Sequence, residues 1–156
     1  MGNAHHSLPE GAGRAMNRED IVALSARRHE AFNRHDAVAL ASLHAEDGVL
    51  VSPFAGGVAR GRAAIEQVYR AFLTAFSDAT FDQEQLLIDG DNVALLLHIH
   101  GTNSGEVMGL PPTDRPFSIP LMSLCEMRDG FIARERRVYD FTGLLLQVGA
   151  LKAKPV

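Results

Sequence analysis

Two Asp-Gly pairs, Asp89-Gly90 and Asp129-Gly130, each stand between two runs of strand-forming residues. They constrain the second half of the chain more than any other feature. An Asp-Gly pair supplies the positive φ that a tight two-residue hairpin turn requires, so each pair predicts two antiparallel strands. The first would join "TFDQEQLLI" to "NVALLLHIHGT", with "SGEVMGL" continuing or bending the second strand. The second would join "PFSIPLMSLCEM" to "FIARERRVYD" across the turn. Pro116 and Pro120 lack a donor for the ladder, so the start of the third strand is expected at an edge or a bulge.

The first half reads differently. "NREDIVALSARRHEAFNRHD" has Asn17 as a cap and Glu19 and Asp20 in the first turn, where the free amides favour negative charge. Ile21, Leu24, Ala31 and Phe32 form its apolar stripe, with Arg27, Arg28 and Glu30 expected outside it. Asp36 opens a second helix, "DAVALASLH", ending near Glu46, with His44 on its polar face. "GVLVSPFAGG" is a strand and turn. A third helix, "GRAAIEQVYRAFLTAF", presents Ile65, Val68, Tyr69, Phe72 and Phe76 on one side. Helices first and an antiparallel meander after them predict an α+β domain, with the helices on one face of a curved sheet and a hollow between them.

The 156 residues suffice for one domain, expected over 17–150, with 1–16 as a loose leader and 151–156 as a tail. A net charge of -4 disfavours a nucleic-acid partner. A single cysteine, Cys125, excludes an intrachain disulfide and a cysteine-held zinc. No apolar run has the length of a membrane span, and the N-terminus does not read as a secretory signal. A reducing, cytoplasmic setting is expected. His5 and His6 fall in the leader, where an adjacent pair has no fixed geometry for a metal.

His98 and His100 alternate with Leu97 and Ile99 and so project from one face of their strand. With no third ligand at a recognisable spacing, they read as proton carriers or structural histidines rather than metal ligands. Asp140 lies between a strand and the leucine-rich "TGLLLQVG", where it serves as a helix cap or as a carboxylate turned into the hollow. Arg134 and Arg136 share its side of the strand, with Glu135, Arg137 and Tyr139 on the other. Arg136 is a candidate to hold an enolate oxygen. Phe54, Tyr69, Phe72, Phe76, Met108 and Met122 are candidate pocket walls. Phe117, Ile119, Leu121, Tyr139 and Phe141 leave more apolar surface than one layer of helices covers, so a homodimer through the sheet is expected.

Three stretches carry a family resemblance: "HGTNSGEVMGLPPTDRPF", "DGFIARERRVYDFTGLLLQVG" and, more loosely, "SPFAGGVARGRAAIEQVYRAF". Over residues 18–149 the chain resembles the SnoaL-like polyketide cyclases, which have the nuclear transport factor 2 fold. The resemblance implies a cone of three N-terminal helices on a strongly curved antiparallel sheet. It places the family's acid/base on Asp140, with Gln147 as the closing Gln, and implies His98, His100 or Asn103 as its partners. Asn103 stands where the family usually has His, and Asp114 where it has Gly. The implied chemistry is intramolecular aldol cyclisation of a polyketide-like carbonyl compound in an apolar pocket, without metal or organic cofactor. The same parts would serve a ketosteroid-isomerase-like isomerase or dehydratase, or an epoxide hydrolase. A non-catalytic small-ligand-binding or structural dimer is the rival class.

Overall fold

The computed structural model describes residues 15–155. Four helices are present: α1 (Arg18–Asn33), α2 (Ala37–Ser42), α3 (Arg62–Ala75) and α4 (Phe141–Gln147). Six strands, β1 (His44–Ser52), β2 (Gly57–Arg60), β3 (Thr80–Asp89), β4 (Asn92–Thr102), β5 (Pro116–Arg128) and β6 (Phe131–Tyr139), form one sheet in the order β2-β1-β6-β5-β4-β3. Every neighbouring pair is antiparallel except β1 with β6, which run parallel. Residues 1–14, most of the expected leader, lie outside the described residues.

Local signals set the element ends. Asn17 and Asp20 form a reciprocal capping box at the start of α1. The turn between β5 and β6 has positive φ at both Asp129 (52°) and Gly130 (84°), as an Asp-Gly hairpin requires. The β3–β4 turn is displaced by one residue. Asp89 pairs with Asn92, and Gly90 (φ 59°) is the first turn residue. The prolines of β5 also find their reason. Residues 116–120 pair with β4 only, because the pairing to β6 begins at Leu121. On that open edge the Gln147 side chain stands in for a strand, accepting from Ser118 N (2.8 Å) and donating to Ser118 O (3.3 Å).

One sheet face is covered by the helices. Phe81, Leu95, Leu97, Ile99, Phe117 and Ile119 point inward and meet Phe32, Ile65, Leu73 and Phe76, all buried. Each such side chain contributes roughly 1.5–3 kcal/mol by leaving water. The alternate residues Leu96, His98, Met122, Leu124 and Val138 take the outer face, where Met122, Leu124 and Val138 are exposed. Three expectations are corrected here. Phe117 and Ile119 are core residues, so they add nothing to an outer apolar surface. His44 begins a strand instead of ending α2, and is fully buried; a register break between His44 and Val49 conceals that strand from pattern reading. Arg28 is also buried, because its spacing from Leu24, Ala31 and Phe32 places it on the helix's inward stripe.

Candidate functional site

Between α1, α3, α4 and the inner sheet face lies a narrow hollow of about 50 Å³ that opens to solvent. Its walls are apolar: Phe32, Phe54 and Phe72 from one side, Phe81, Leu97, Ile99 and Ile119 from the sheet. Three polar side chains join them, Arg28, Tyr69 and Arg137, with Tyr139 beside Phe54. The Tyr139 hydroxyl accepts from Phe54 N (3.2 Å) and holds the turn after β1 against the hollow's rim.

Behind the three polar groups is a buried network. Glu135, wholly inaccessible to solvent, pairs with Arg28 Nη2 and accepts from Arg137 Nε (2.9 Å) and Ser123 Oγ (2.7 Å) at one oxygen. Its other oxygen accepts from Arg137 Nη2 (3.2 Å). Burial alone would raise its pKa, but Arg137 and Arg28 hold it well below the usual carboxylate range. Burial works against the charge on Arg28 and Arg137 as well, and Glu135 outweighs it, so both remain guanidinium ions. Burial lowers His44 to about 3; Glu135 opposes this, but Arg28, Arg137 and Arg62 reinforce it. The 3.6 Å approach of His44 to Glu135 therefore joins a neutral imidazole to a carboxylate and is not an ion pair.

Tyr69 links this network to the hollow. Its hydroxyl oxygen accepts from Arg137 Nη2 (2.7 Å) and lies 3.0 Å from His44 Nε2. His44 Nδ1 has no partner. A buried N–H without an acceptor costs more than a bare lone pair, so the favoured tautomer carries the proton on Nε2 and donates it to Tyr69. That arrangement leaves the Tyr69 proton free. Burial raises the pKa of the phenol, against the influence of Arg137 and Arg28, so the proton is retained at neutral pH.

The sequence-predicted residues divide. Phe54, Tyr69 and Phe72 line the hollow, and Phe76 stands behind them, fully buried against Phe72 and Phe117. Met108 sits on a loop, 70% exposed, and Met122 and Arg136 face outward, since inward positions on β5 and β6 are odd-numbered there. Asp140 is exposed at the N-terminus of α4, where its carboxylate accepts from Gly143 N (2.8 Å). The helix amides that follow it give the carboxylate a partner away from the hollow.

His98 and His100 lie on the outer face with Ser118, whose hydroxyl is 2.7 Å from His98 Nε2 and 3.2 Å from His100 Nδ1. Asp82 approaches His100 at 3.1 Å. Asn103 is buried but holds the loop that follows β4. It donates to Gly105 O (2.8 Å) and accepts from Thr113 N (3.0 Å). Asp140, the two histidines and Asn103 are thus not gathered at the hollow. Among the described residues, no three His, Cys, Asp or Glu side chains converge as a metal site requires. Glu135, Arg137 and Arg28 were legible only as alternation on β6 and spacing on α1.

Comparison with known proteins agrees with this architecture. The model of the SnoaL-like polyketide cyclase family matches residues 23–148. Nogalonic acid methyl ester cyclase of Streptomyces nogalater is 36% identical over 85 residues, covering 51% of this chain and 63% of that protein. The structure of wild-type IdmH from Streptomyces antibioticus shares 32% identity over 82% of this chain and 97% of its own, with a TM-score of 0.69. TsrD from Streptomyces laurentii, at 24% identity, superposes over 87% of this chain and 99% of its own with a TM-score of 0.77 and shares the fold.

Proposed function

The chain belongs to the SnoaL-like polyketide cyclase family, and on that premise we propose that it is a small-molecule enzyme acting on an apolar carbonyl compound bound in the hollow. The observation that carries the reading is the Tyr69 hydroxyl, held by Arg137 and His44 on a residue that lines an apolar cavity; with His44 protonated on Nε2, as argued above, its own proton is free to donate. A substrate carbonyl oxygen accepting from Tyr69 gains most when it turns into an enolate, because charge then accumulates on that oxygen. Solvent water takes a proton from the adjacent carbon to give the enolate. In the cyclase version the enolate carbon attacks a second carbonyl of the same molecule, the π bond of that carbonyl breaks as the C–C bond closes the ring, and the resulting alkoxide takes a proton back from water. The aromatic walls fold the flexible chain so that the reacting carbons meet. The relative's name motivates a polyketide ester as the first substrate to try. Isomerase and dehydratase reactions use the same enolate. No metal or organic cofactor enters this scheme.

A second reading, a non-catalytic ligand-binding dimer, is favoured by the exposed, helix-capping carboxylate of Asp140. In either reading the homodimer would form through the outer sheet face, around Met122, Leu124 and Val138.

The deciding experiment is Tyr69→Phe, assayed on a polyketide-like β-dicarbonyl ester that the wild type converts. Turnover should fall by about 10²-fold or more, the scale for losing one oxyanion donor, while affinity for a product analogue changes much less. Unchanged turnover in the variant would sink the assignment. A panel that the wild type binds but never converts would establish the second reading.

A further inference from the structure

The closed end of the hollow carries one more positive charge than negative. Arg28 and Arg137 face a single carboxylate, Glu135, and His44, 3.6 Å from it, is unprotonated. The further groups that act on this cluster are the Tyr69 phenol, the buried Cys125 thiol and Arg62, whose charge adds to the excess. Glu135 is shut off from solvent, and its oxygens already take both guanidinium groups and Ser123.

Arg137, by contrast, spends Nε and Nη2 on Glu135 and Tyr69, while its Nη1 has no protein partner among the described residues. The Arg137 side chain keeps a small part of its surface accessible and lines the hollow. An uncompensated cation beside apolar walls is costly until an anion meets it. Among the described residues, no carboxylate in the hollow is free to act as a base. Glu135 is locked, and Asp140 stands outside.

We propose that the hollow takes its ligand already ionised. The ligand class is an apolar carbonyl acid or phenol whose oxyanion lies against Arg137 Nη1 and the Tyr69 hydroxyl, its proton having gone to solvent and not to a side chain. This rests on the reading of the hollow as the ligand site, and it names the charge state that reading leaves open.

The test uses 7-hydroxycoumarin, whose phenol and phenolate absorb at different wavelengths, titrated with pH in the presence of saturating wild-type protein. Preferential binding of the phenolate lowers the apparent pKa of the bound dye. A drop of about one unit corresponds to a roughly ten-fold preference. An unchanged or raised value means that the hollow is a neutral apolar box and overturns the proposal while leaving the hollow as a binding site. Absence of binding at any pH overturns both the proposal and the reading beneath it. Leu121→Trp, which fills the hollow, should abolish the shifted signal; its persistence assigns the effect to another surface and overturns the proposal. Glu135→Gln removes the negative charge and should lower the dye pKa further, whereas a purely structural role for Glu135 would weaken binding. If that variant does not fold, the wild-type titration decides alone.

Discussion

The hydroxyl of Tyr69 lies 3.0 Å from Nε2 of His44, an imidazole shut off from solvent with its second nitrogen unpartnered. A histidine held in this way is neutral in the folded protein and ionises freely only after unfolding. That difference makes stability depend on pH.

Unfolded His44 takes up a proton near pH 6.5, whereas the folded residue does so near 3. Stability is therefore lost as pH falls from about 6.5 towards 3. The slope approaches ~1.4 kcal/mol per pH unit, and the total is on the order of 4–5 kcal/mol. Glu135 adds an acid-side loss in a lower window, because its folded pKa lies well below the ordinary carboxylate value. Urea unfolding between pH 7.5 and 4.5 should show His44→Gln with a slope smaller by about one proton than the wild type. Parallel slopes would refute the assignment.

Asp140→Ala should cost about 1 kcal/mol of stability through loss of the α4 cap. Asp140→Asn, which retains a capping oxygen, should melt close to wild type and keep its turnover within a few-fold. A roughly 10²-fold loss of turnover in the asparagine variant, without loss of fold, would return the acid/base role to Asp140.

Asp114 occupies the left-handed region with φ 56° on the loop held by Asn103. Asp114→Gly relieves that backbone and should stabilise by about 0.5–1 kcal/mol in a denaturant titration. On the same loop Gly105→Ala should do the opposite and by more, since a Cβ there would stand 2.1 Å from the Thr74 carbonyl oxygen.

Phe76→Ala removes a fully buried ring packed on Phe72 and Phe117 and should cost about 3–5 kcal/mol in thermal or urea unfolding. A cost under 1 kcal/mol would mean that the aromatic cluster collapses into the vacated space.

Light scattering should give a dimer mass for the wild type and a monomer mass for Leu124→Glu, with the far-UV spectrum unchanged. Leu124 is exposed on the outer sheet face, so the substitution tests association without touching the core. A monomeric wild type at micromolar concentration would refute the outer-face dimer.

The hairpins, the helix starts and the alternation along β4 and β6 were legible because they depend on neighbours in sequence. Which parity faces inward was not. On β6, alternation separates Arg134 and Arg136 from Glu135, Arg137 and Tyr139, but four charged residues in a row give no local reason to bury any of them. The pairings Leu121↔Tyr139, Ser123↔Arg137 and Cys125↔Glu135 fix the face. The cost of burying the charged pair is met by Arg28, which lies far off in the chain. Asp140 shows the converse: its capping role was legible locally, and the nearby helix amides prevailed.

The position of β6 has a consequence for how the chain acquires its shape. This last strand is inserted in the middle of the sheet, between β1 and β5, so Glu135 and Arg137 reach Arg28, His44 and Tyr69 only when the final hairpin docks. During synthesis α1, β1 and α3 emerge first, with Arg28, His44 and Tyr69 still hydrated. The cluster cannot be assembled piecemeal, and its closure belongs to the slow, high-contact-order phase of folding.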